Sequence, residues 1–147
     1  MRQLYRVAII SILFFSFTSC SATNILVTHS EYRIDYYSGG GFTGIESGLT
    51  IFSSGTVKFW KRNPNSERRI TDSLKLSEIQ LKEIDNLITN PELFTYTFKF
   101  SGHYTTHLVL SKDIQLNQIS FNSSDLPEEM PVSVKNLISE IKTIFNK

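Results

Sequence analysis

His103 and His107 stand four residues apart in GHYTTH, close enough to point to one side of a strand. Two imidazoles are half of a metal site. A third ligand and an outer shell are needed, and the sequence marks neither, so two ordinary polar side chains at a hairpin is the simpler reading. Asp35, Glu46 and Asp72 are the carboxylates available as an acid and base pair, but their spacing suits solvated faces equally well. Cys20 is the only cysteine, and no HExxH or GxSxG stretch occurs. The glycines of SGGGFTG, residues 38–44, lack the Lys-Ser/Thr of a phosphate loop and lead into a strand pattern rather than a helix. The chain therefore reads as a non-enzyme, with no cofactor, metal or small-molecule substrate expected. A formal net charge of +1 gives no footprint for nucleic acid.

The elements that must carry these residues follow from periodicity. Residues 31–37, EYRIDYY, alternate and are aromatic-rich, which suits a half-buried strand. Residues 46–52 form a second strand, Ser53-Ser54-Gly55 a hairpin turn, and residues 56–61 a third strand. Alternation sets Val57 and Phe59 on one face and Lys58, Trp60 and Arg62 on the other, which reads Trp60 as partly exposed. Residues 62–72 are polar, contain Pro64 and read as a loop. Ser77 and Gln80 are spaced as a capping box, with Leu76 and Leu81 placed as a hydrophobic staple, so a helix starts there and stops at Asn90-Pro91. Residues 95–100, 105–110 and 115–121 look like further strands, and a stripe from Val134 to Phe145 closes the chain as an amphipathic helix. The order β-β-β-α-β-β-(β)-α predicts an α+β domain, an antiparallel sheet of five to six strands with two helices on one face.

The first twenty residues read as an export leader. Arg2 and Arg6 precede an apolar run, Val7 to Phe17, about half as long as a bilayer span requires. The run ends in Phe17-Thr18-Ser19-Cys20, which resembles a bacterial lipobox, with Phe17 where leucine is usual. The alternative is an incidental cysteine near a cleavage site. The lipobox reading makes residues 1–19 a signal peptide, Cys20 a lipidated N-terminus, residues 20–30 a tether and residues 31–147 one domain. The mature chain is then 147 − 19 = 128 residues, without a disulfide, and relies on an ordinary core. Ser21, rather than aspartate, after the cysteine points toward the outer membrane of a bacterial envelope.

The glycine cluster has two readings. Gly39, Gly40 and Gly41 can be a flexible hairpin connection, since glycine adopts positive φ without steric cost. A tight turn does not require Phe42, however, and an apolar ring flanked by Thr43 and Gly44 either folds back on the core or meets a partner. The stretch SGGGFTGI, followed by strand, helix, the aromatic TYTFKF and an amphipathic C-terminal helix, resembles emfourin, a family of small bacterial inhibitors of thermolysin-type metallopeptidases. Gly40, Gly41, Phe42 and Gly44 match the family's Ser/Thr-Gly-Gly-Phe-Ala-Gly, with Thr43 for alanine and Gly39 as an extra glycine. The resemblance implies a secreted metallopeptidase as partner. Residues 39–44 would then be the partner-binding loop and Phe42 its anchor, because such enzymes favour a bulky apolar side chain after the scissile bond. The alternative is a non-enzymatic envelope lipoprotein acting as a protein- or glycan-interaction module. Tyr36, Tyr37 and Trp60, with Phe42, are candidate exposed aromatics that would serve either reading.

Overall fold

The computed structural model describes residues 30–122 and 124–146. The leader, Cys20 and all of the tether except Ser30 lie outside the described residues. Six strands form one antiparallel sheet: β1 (Tyr32–Gly40), β2 (Glu46–Phe52), β3 (Thr56–Arg62), β4 (Arg69–Lys75), β5 (Tyr104–Lys112) and β6 (Gln115–Phe121), ordered β4-β3-β2-β1-β5-β6. Helices α1 (Glu78–Leu87), α2 (Glu92–Thr95) and α3 (Val132–Phe145) pack against one face. The α+β reading holds.

Both the sequence pattern and the structure give six strands, through two offsetting differences. β4 lies within and beyond the stretch read as a loop. Its side chains are almost all exposed because it is an edge strand on which only Leu74 packs against the core, so it carries no apolar alternation. A register shift between Phe59 and Trp60 breaks its pairing with β3. Residues 95–100, conversely, are not a strand. Asn90 Oδ1 accepts from Glu92 N at 2.9 Å and Pro91 opens the short α2, after which the chain touches β6 only at an isolated bridge, Lys99 to Ser120. Phe94, Tyr96 and Phe98 still pack on the core, and besides that one backbone bridge Asn117 of β6 holds the segment by donating to the Leu93 and Tyr96 carbonyls. Their period-two spacing reflects burial, not sheet pairing. TYTFKF was one stretch supporting the family resemblance, and it is not a strand here.

The core lies between the sheet and the helices. Ile34, Leu49, Ile51, Leu108, Leu110, Ile119 and Phe121 from the sheet meet Ile84 and Ile88 near α1, and Leu137, Ile138 and Ile141 of α3. Each such side chain contributes about 1.5–3 kcal/mol on full burial. The capping box of α1 forms as expected: Gln80 N donates to Ser77 Oγ and Ser77 N to Gln80 Oε1, each at 3.3 Å. Tyr32 at the start of β1 donates to Asp85 at 2.7 Å, tying sheet to helix. Among the described residues no helix is long and apolar enough to cross a membrane.

Candidate functional site

The loop between β1 and β2 shows where each of the clustered glycines sits. β1 runs further than its aromatic pattern suggests, so Gly39 and Gly40 are strand residues, paired with Glu46 and Tyr104. Only residues 41–45 form the connection. Gly40 (φ 116°) needs to be glycine twice over: its backbone is left-handed, and a Cβ there would lie 2.6 Å from the His103 carbonyl oxygen. Gly41 N donates to that same carbonyl, which ties the loop to the segment before β5. Gly41 and Gly44 also have positive φ. Between them Phe42 is 108% exposed, turned away from every core element. Ile45 and Tyr104 stand exposed at the same end of the sheet. A cleft of about 300 Å³ opens there between sheet and α3, lined by Tyr36, Ser38, Ser47, Tyr104 and Phe145.

The helix-free face holds a second constellation, which the sequence did not announce. Cross-strand register places Trp60, Gly48, Tyr37, His107 and Ser120 in one row across five strands. Gly48 is the gap that lets the row close. A Cβ at Gly48 would meet the Tyr36 carbonyl at 2.3 Å and Tyr37 Cβ at 2.4 Å. The Tyr37 ring therefore reaches Trp60 on one side (centroids 5.4 Å) and stacks on His107 on the other (4.8 Å). Arg68 covers the row, its guanidinium carbon 3.9 Å from the Trp60 centroid and Nη1 2.8 Å from Asp35 Oδ1. Thr50 donates to Asp35 at 2.6 Å and accepts from Trp60 Nε1 at 3.1 Å, while Arg33 adds a further bond to Asp35 at 3.1 Å.

Two sequence expectations are corrected by this network. Trp60 is 1% exposed, because Arg68, contributed by the segment leading into β4, closes over it; Tyr36 is also buried, on the helix side. Tyr37 is half-buried within the row.

The polar groups here have partners within the protein. Asp35 is buried with its carboxylate engaged by two guanidiniums and a hydroxyl. Glu46 pairs with Arg62 at 2.5 Å, and exposed Asp72 only accepts from Ser73 N. The three carboxylates thus have separate partners. His107 Nδ1 lies 2.8 Å from Ser120 Oγ, but that serine is buried in a paired strand. Burial pushes the His107 imidazole below its usual range, with Glu46 opposing the shift. His103 sits in the turn before β5 and is not part of the row. Among the described residues no three His, Cys, Asp or Glu side chains gather as a metal cluster. Arg68 and Gly48 had no local sequence signal, since what they do depends on residues far away in the chain. No known family model matches this chain, and no curated protein is significantly similar to it.

Proposed function

We propose that this chain is a lipid-anchored envelope protein that inhibits a thermolysin-type metallopeptidase by seating its β1–β2 loop in the enzyme's cleft. The observation that carries the reading is Phe42, an aromatic ring wholly in solvent on a loop pinned to the His103 carbonyl. A large aromatic side chain fully in solvent at a loop tip suits the pocket of a partner, where such anchors carry much of the binding energy. Pinning lowers the ordering cost of binding. The resemblance of the GGFTG stretch to the emfourin signature supplies the class of partner. No catalytic residue is required. Trp60 and Tyr36 are buried, so of the four aromatics that either reading could use Phe42 alone stands fully exposed.

The test is titration of a soluble form beginning at Ser21 against a thermolysin-type enzyme and the host's own secreted metallopeptidase. Stoichiometric loss of peptidase activity is the expected outcome. Phe42→Ala should then weaken inhibition by about 30-fold or more, as for an anchor worth at least about 2 kcal/mol. Intact inhibition by a folded Phe42→Ala protein would move the contact elsewhere. A folded wild type with no effect on either enzyme would end the inhibitor reading.

A further inference from the structure

The end of the sheet opposite Phe42 carries an apolar turn of its own. β5 and β6 are joined by two residues, Asp113 and Ile114, between the paired Lys112 and Gln115. Such turns favour glycine, asparagine or aspartate, and Asp113 (φ 52°) fits that rule. Ile114 does not. It is 100% exposed, and Leu116, two residues on, is 73% exposed. Neither side chain has a turn-forming or core-packing reason to be apolar.

The turn lies at the end of the sheet where the chain enters it. The described chain begins at Ser30, at this same end, and Asp113 N donates to the Glu31 carbonyl at 3.2 Å. The ten Cα–Cα steps from Cys20 to Ser30 reach at most about 35 Å even if fully extended. β1, nine residues and so about 30 Å long, carries the chain from there to the Phe42 loop. A tether of that length attaches at the β5–β6 end of the sheet but, being as long as β1, does not orient the domain. An apolar tip would. Charges around the turn are mixed, Glu31 and Asp113 against Arg33 and Lys112, so attraction to anionic lipid is not its basis.

We propose that Ile114 and Leu116 dip into the bilayer interface beside the lipid anchor, so that the Phe42 loop stands away from the membrane. The proposal rests on the anchor at Cys20. Two side chains cannot hold a protein on a bilayer alone, but they suffice to set its tilt once acyl chains hold it there. The orientation matters to function: it presents the binding loop outward rather than against headgroups.

The test uses the mature lipidated protein in phosphatidylcholine vesicles. With the Cys20 thiol acylated, Ile114→Cys introduces the single free thiol, and Phe42→Cys does the same at the far end. Each is coupled to a polarity-sensitive fluorophore, with circular dichroism checking that both variants fold. The label at 114 should shift to the blue on reconstitution and be quenched by lipid-borne nitroxide several-fold more than the label at 42. Equal response at the two sites overturns the proposal while leaving the anchor reading intact. A concentration-dependent blue shift at 114 before vesicles are added assigns the turn to a second copy and also overturns it. A mature protein whose mass lacks acyl chains removes the anchor and the proposal together.

Discussion

The two faces of the sheet bury side chains to the same depth by different means. On the helix side, Ile34, Leu49, Leu108 and Leu137 are at or near zero exposure because apolar surfaces of sheet and helix meet. On the open side, Trp60 is equally buried, yet no helix covers it. A single arginine, one carboxylate, one threonine and a neighbouring tyrosine do so. The first arrangement is non-directional and tolerates changes that conserve volume. The second depends on each partner being present, because a buried polar group left without one costs more than its bond contributes.

The largest expected effects test whether the open face is a true second core. Trp60→Ala should cost about 3–5 kcal/mol, comparable with the 2–5 kcal/mol expected for Leu137→Ala on the helix side. Urea denaturation of both variants measures this. A loss below about 1 kcal/mol for Trp60→Ala would make the open face ordinary surface and dissolve the comparison.

The two faces also differ in how far the sequence reveals them. β2 and β6 have the boundaries that alternation predicts, and α1 begins where Ser77 and Gln80 place it. These elements are specified by neighbours in sequence. The burial of Trp60 is not, since Arg68 reaches Asp35 across 33 positions and arrives from a stretch whose composition reads as loop. β4 was hidden for a related reason: an edge strand on which only Leu74 packs against the core has no hydrophobic period. At the glycine cluster the sequence posed the question without settling it. Gly-Gly-Gly permits either a turn or a shaped loop, and what the structure adds is that the loop is tied to the His103 carbonyl and that Phe42 does not fold back on the core.

Asp35 offers a sharper test of directionality. Asp35→Asn keeps the shape of the side chain but removes the charge that Arg33 and Arg68 share. Both guanidiniums are partly exposed, at 49% and 30%, so solvent screens much of the loss. The expected cost is about 1–3 kcal/mol, set mainly by the hydrogen bonds to Thr50 and Arg68. Loss of the Arg68 clamp should also redden and weaken the fluorescence of Trp60, the only tryptophan, in the native state. Stability lost without a change in emission would mean that Arg68 stays on the ring through its cation–π contact alone. An equal-volume swap on the helix side should leave emission unchanged.

The smallest effect separates the faces by pH. His107 belongs to the open face, stacked on Tyr37 and bonded to Ser120, and burial lowers its pKa below the ordinary value near 6.5. The groups acting on it are Glu46, whose charge favours protonation, and the neutral Ser120 and Gln118 side chains. Because the folded form binds the proton less readily than the unfolded chain, acidification favours unfolding. The stability contribution is complete above the unfolded pKa near 6.5 and is lost as pH falls from there toward the lowered folded value. Denaturation midpoints measured at pH 7.5 and 5.5 should therefore drop more for the wild type than for His107→Gln, which cannot titrate. An equal drop in the two proteins would assign the acid sensitivity to carboxylates elsewhere. A smaller drop in the wild type would mean that Glu46 outweighs burial, leaving the imidazolium rather than the imidazole as the form the open face prefers.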